Sequence, residues 1–169
     1  MSDIVNRVEN SPIVSLDLEN FYPEGERVSF DLSGYLFQGM VLREREFRKS
    51  LREKNWEEYK DKYVAVFCSA DAIVPYWAFM LVVTQLHPYA KKVVVGDLDD
   101  LEKTLFQERL GELDIESFKD KPVVVKGCSK RKVPLYAYGE ITNKLMGKAK
   151  SIMYGEPCST VPLYKRPKQ

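Results

Sequence analysis

Three short runs of β-branched and aromatic residues constrain this chain more than any other feature: Tyr63-Val64-Ala65-Val66-Phe67, Lys92-Val93-Val94-Val95-Gly96 and Pro122-Val123-Val124-Val125. Branched side chains are stiff in a helix and pack well on a pleated sheet, so each run reads as a strand buried on both faces. Between them lie stretches of helical character. Residues 75–87 are apolar and begin at Pro75, whose missing N–H costs nothing in a first turn, and Pro88 stops them. Asp97, Asp99 and Asp100 open a second helix through Leu101, Leu105, Phe106 and Leu110, and Gly111 closes it. A last helix is expected from about Val133 to Ala149. Strands alternating with helices point to βαβ units. The expected fold is therefore α/β: one domain over residues 1–169, with a mainly parallel sheet flanked by helices. An N-terminal extension adds strands at Ile13-Val14-Ser15-Leu16-Asp17-Leu18 and at residues 28–32, then a helix over residues 36–52. The tail 165–169 reads as disordered.

A length of 169 residues fits one ordinary domain with a core that needs no disulfide staple. The net charge of +1 gives no global attraction to nucleic acid, and the mixed charges of Arg43-Glu44-Arg45-Glu46-Phe47-Arg48-Lys49 read as a solvated helix face. Residues 72–90 carry no formal charge, but Pro75, Gln85, His87 and Pro88 interrupt them. A span needs about 20 predominantly apolar residues, so a helix buried in the domain is expected and no membrane partner. The start, Met1-Ser2-Asp3-Ile4-Val5-Asn6-Arg7, has no apolar run of the secretory kind, so the three cysteines are expected to be reduced and the chain cytoplasmic. No signal bears on the oligomeric state.

The cysteines share a weak repeat. Cys68-Ser69, Cys128-Ser129 and Cys158-Ser159 are each followed, after spacers of differing length, by Val-Pro, one further residue and an aromatic. Cys68 and Cys128 follow strand ends. In one parallel sheet such ends share an edge, where open α/β folds bind ligands. Cys158 follows the last helix and reaches that edge only if the chain returns. Each cysteine alone reads as a small core hydrophobe. Together they are soft ligands suited to zinc or an iron–sulfur cluster. The fourth position falls to Asp71 or to an exogenous group, with capping of the following helix as the alternative role for Asp71. The lone histidine, His87, lies about 18 Å along its helix from Pro75 at about 1.5 Å per residue, which excludes it. Lys130-Arg131-Lys132 reads as a solvated loop. There is no Gly-x-Gly-x-x-Gly and no phosphate-binding Gly-Lys-Ser/Thr loop. Three readings stay open: a metal- or cluster-binding accessory protein, a thiol- or cluster-dependent transferase or lyase, and an interaction module with structural cysteines.

The strings Cys68-Ser69-Ala70-Asp71-Ala72-Ile73-Val74-Pro75 and Tyr154-Gly155-Glu156-Pro157-Cys158-Ser159-Thr160-Val161-Pro162, with Leu42-Arg43-Glu44 and Phe47-Arg48, resemble an uncharacterised bacterial domain-of-unknown-function family, the one numbered 2480. The likeness covers nearly the whole chain. It implies a cytoplasmic protein encoded beside iron–sulfur cluster assembly genes. That neighbourhood implies a role in cluster assembly, with assembly proteins as partners.

Overall fold

The computed structural model describes residues 12–127 and 130–168. The chain divides into two compact units, one contiguous (residues 24–104) and one split by it (residues 1–23 and 105–169). The split unit opens with β1 (Val14–Asp17) and a 3-10 turn at Leu18–Phe21. The contiguous unit follows with β2 (Arg27–Asp31), a 3-10 turn at Leu32–Tyr35, the hairpin β3 (Leu36–Phe37) and β4 (Val41–Leu42), and α1 (Glu44–Glu53). A 3-10 turn at Trp56–Tyr59, β5 (Tyr63–Phe67), α2 (Tyr76–Leu86) and β6 (Lys92–Val95) complete it. The helix α3 (Leu98–Gly111) carries the chain from one unit into the other. The split unit then adds a 3-10 turn at Ile115–Phe118, β7 (Pro122–Lys126), α4 (Leu135–Leu145), β8 (Ser151–Glu156) and β9 (Ser159–Lys165).

The class is α/β, and the three valine-rich runs are strands in parallel pairings. They do not share one sheet. The contiguous unit has the order β2-β5-β6 and the split unit β1-β7-β8-β9. Every pairing within these two sheets is parallel except β8 with β9. The argument for one common edge therefore loses its basis, because β5 and β7 end in different sheets. The two N-terminal strands are edge strands as expected, one for each sheet, and this is what allows two sheets.

The units repeat one plan. Each residue of the stretch 56–96 has its counterpart 59 positions later: Val64 with Val123, Val74 with Val133, Pro75 with Pro134, Ala78 with Ala137, Leu86 with Leu145. The first strands repeat at a spacing of 14, with Val14-Ser15-Leu16-Asp17-Leu18 against Val28-Ser29-Phe30-Asp31-Leu32. Pairing follows the same register, Val28 opposite Val64 and Val14 opposite Val123. Even the backbone repeats, with Asp61 and Asp120 left-handed at φ 58° and 59°. Aspartate tolerates that conformation better than most residues because its short side chain bonds locally.

Each unit has its own core. Phe30, Leu32, Val64, Val66, Val74, Ala78, Val82 and Leu86 are buried together in the contiguous unit, with Phe47 and Leu51 of α1 added. Leu16, Leu18, Val123, Val125, Val133, Ala137, Ile141 and Leu145 are their counterparts in the split unit. Spacing of three to four residues along α2 and α4 puts the buried set on one helix face.

The expected helix over residues 36–52 begins only at Glu44. Gln38 and Gly39 adopt left-handed backbone, φ 53° and 71°, and turn the chain into the β3–β4 hairpin instead. At the other end, order runs into the expected tail. Lys165 ends β9, and Arg166 N donates to the Lys150 carbonyl at 2.9 Å while its guanidinium pairs with Asp120. Among the described residues, no helix is long and apolar enough to cross a membrane.

Candidate functional site: the carboxyl ends of the parallel strands

In the contiguous unit, register places Asp31, the last residue of β2, opposite Phe67, the last residue of β5. Residues 68–75 then lead to α2. Asp31 Oδ1 accepts from Ser33 N at 2.9 Å, capping the 3-10 turn, and from Ser69 N at 3.0 Å; Oδ2 accepts from Ser69 Oγ at 2.5 Å. The two serine hydroxyls lie 3.1 Å apart. Partial burial would raise the Asp31 pKa, but the hydrogen bonds from Ser69 Oγ, Ser33 N–H and Ser69 N–H outweigh it and hold the carboxyl at about 2. Through these bonds the carboxylate ties the end of β2 to Ser69 at the start of the 68–75 connection.

Cys68 is half-buried, with Sγ 3.8 Å from the Ala70 carbonyl. It lines an open pocket of about 320 Å³ with Ala70, Ala72, Val74, Phe79 and Gly96. Gly96 is required there: a Cβ would stand 2.5 Å from Asp100 Oδ2. Asp100 is held in place by a reciprocal cap at the start of α3, Asp100 N to Asp97 Oδ1 at 2.9 Å and Asp97 N to Asp100 Oδ2 at 3.1 Å.

Asp71 is exposed, between two alanines that line the pocket, and is not itself in the lining. Nor does it cap α2, whose N-cap is Pro75 with no side-chain bond. His87 is the C-cap of α2, its N–H on the Val83 carbonyl at 2.9 Å. It stands at the opposite end of that helix from the Cys68 loop, as the sequence predicts.

In the split unit, Lys126 ends β7 between two carboxylates, Asp17 of β1 at 3.9 Å and Glu156 of β8 at 3.4 Å. Lys130 N donates to Glu19 Oε1 at 2.9 Å, and the Arg131 guanidinium lies 4.9 Å from the centre of the Tyr22 ring. The basic loop is thus partly engaged with its own unit. Cys158 is exposed, in the two-residue turn between Glu156 and Ser159. Its return to the strand carboxyl ends happens through β8, a full parallel strand after α4, where the sequence offered only a turn. Cys128 lies outside the described residues. Among the described residues, no group of three or more histidine, cysteine, aspartate or glutamate side chains is arranged to hold a metal ion.

The repeat is real, but the cysteines are not its equivalent positions. At the constant spacing of 59, Cys68 corresponds to Gly127 and Ser69 to Cys128. The reason for glycine is visible: a Cβ at Gly127 would meet the Tyr138 hydroxyl at 2.7 Å. Tyr138 is the counterpart of Phe79, which has no hydroxyl and leaves room for the Cys68 side chain. The Asp31 cluster was not singled out from sequence. Its available signal was the repeated Val-Ser-(Leu/Phe)-Asp-Leu string, whose aspartate ends each first strand.

No curated protein and no solved structure matches the chain. The profile of one family, described as a protein of unknown function (DUF2480), matches residues 2–166. With that match spanning nearly all of the sequence, the chain belongs to the DUF2480 family.

Proposed function

We propose that the chain is a metal- or iron–sulfur-cluster-binding accessory protein of the reduced cytoplasm, acting in iron–sulfur cluster assembly beside assembly proteins. In the split unit its ligands are the thiolates of Cys128 and Cys158, with exogenous groups completing the set; in the contiguous unit Cys68, with Asp71 or an exogenous group, offers a thiolate site of its own. The observation that supports it is the parallel pairing of β7 with β8, Val125 opposite Tyr154, which brings their carboxyl ends side by side. Cys128 comes two residues after Lys126, and Cys158 two residues after Glu156. Cys68 comes directly after β5, whose carboxyl end is the corresponding place in its own unit. Thiolates suit zinc and iron–sulfur clusters, and the positions that the protein does not fill are left for substrate or water. Anaerobic purification with elemental analysis and a visible spectrum tests this. Near-stoichiometric zinc, or iron with acid-labile sulfide and charge-transfer absorption, is the expected result. A folded, metal-free chain whose thiols all titrate freely would refute it.

One observation favours a second reading, an interaction module with structural cysteines. Ile73, Tyr76 and Met80 fall at spacings of three and four around the start of α2 and are 94%, 87% and 66% exposed. A metal-free chain in the same experiment leaves this reading standing.

A further inference from the structure

We infer that Asp31 is a positioning residue for the Cys68 thiol, acting through Ser69. The inference deepens the proposed function and rests on it only in taking Cys68 as a working thiol.

Eight residues, 68–75, join β5 to α2. Such a connection is free to sample many conformations unless something fixes it, and fixing each residue costs about 1–2 kcal/mol of entropy. Two anchors are evident. Val74 is buried in the core at the far end. At the near end Ser69 is held twice by one carboxylate, through its N–H at 3.0 Å and its hydroxyl at 2.5 Å. That carboxylate is itself fixed, because it ends β2 in register with Phe67 and caps the next turn through Ser33 N. Cys68 is the single residue between the end of β5 and this double anchor. Its half-buried sulfur and its place in the pocket wall follow from where Ser69 is held. Removing the anchor frees the near end of the loop and opens the thiol to solvent.

The test is alkylation of the full-length chain by iodoacetamide, with chelator and reductant removed immediately beforehand, followed for each cysteine by peptide mass spectrometry. Ser69→Ala keeps the cap on Ser33 and removes only the hydroxyl anchor. It should raise the Cys68 rate at least about fivefold and leave Cys158 unchanged. Asp31→Asn should do the same, and Ser69→Thr, which restores a hydroxyl, should return Cys68 to the wild-type rate. A general loosening of the fold would move Cys158 as well and would not be rescued by threonine. If Asp31→Asn fails to fold, Ser69→Ala with its threonine rescue decides the matter. A Cys68 rate in Ser69→Ala within about twofold of wild type, or equal acceleration of Cys158, would overturn the inference. Absence of metal from the wild-type chain would refute the proposed function and leave this result unaffected.

Discussion

Gly127 and Cys68 occupy the same place in two copies of one plan, and the side chain across from each decides which residue fits. A methyl at Gly127 would press on the Tyr138 hydroxyl at 2.7 Å and approach Leu18 Cβ at 3.4 Å. Overpacking of this kind costs roughly 1–3 kcal/mol. Gly127→Ala should therefore lower the unfolding free energy by about that much. Tyr138→Phe in the same chain should recover most of the loss, because it recreates the pairing of Cys68 with Phe79. Denaturant midpoints of the two single variants and the double variant check this, and strictly additive effects would count against it. Asp31 makes a second prediction at this scale. Its carboxyl is ionised down to about pH 2 in the folded chain, below the ordinary 3.8. Its contribution is fully present above about pH 4 and is lost as the pH falls toward 2. The stability gap between wild type and Asp31→Asn should be constant from pH 7 to about 5 and close between about pH 4 and 2. A gap that persists unchanged at pH 2 would contradict the assignment.

The elements show which sequence signals carry over and which fail. Val64–Val66 and Val123–Val125 were legible as strands because branched side chains leave few alternatives. The extent of α2 was legible because Pro75 precedes it and Pro88 follows, but α4 runs only from Leu135, just after Pro134, to Leu145, short of the expected end near Ala149. The Leu36–Met40 spacing misled, since two left-handed residues, Gln38 and Gly39, outweigh a suggestive apolar period. Strand β8 was hidden for a different reason: Ser151-Ile152-Met153-Tyr154-Gly155-Glu156 has little of the valine-rich character of its neighbours, and its register with β7 supplies what local propensity does not. The reciprocal cap of α3 yields a prediction: Asp100→Ala removes it and should cost about 1 kcal/mol in unfolding free energy. For α2, an 11-residue helix separates His87 from the Cys68 loop by about 16 Å. His87→Gln should leave metal content unchanged, and a fall to the level of a cysteine variant would contradict the site.

For the molecule as a whole, one plan used twice explains why the repeat was visible in sequence only in part. The string Val-Pro recurs because Val74 and Val133 enter equivalent cores just before equivalent helices. The cysteines lie near these strings without being equivalent, so aligning on them obscured the constant spacing. Parallel pairing was legible, but division into two sheets was not, since nothing local in Val14–Asp17 and Arg27–Asp31 says that each begins its own sheet. Two cores of matching composition predict two centres of slow amide exchange, at Val64–Val66 and Val123–Val125; a single protected centre would contradict that division. The proposed function requires that cysteine thiolates hold a metal. X-ray absorption at the edge of the metal that co-purifies with the anaerobic chain tests it most directly. The expected first shell contains sulfur at about 2.3 Å, reduced in each of Cys128→Ser and Cys158→Ser. A first shell of oxygen and nitrogen alone, unchanged in those variants, would contradict it.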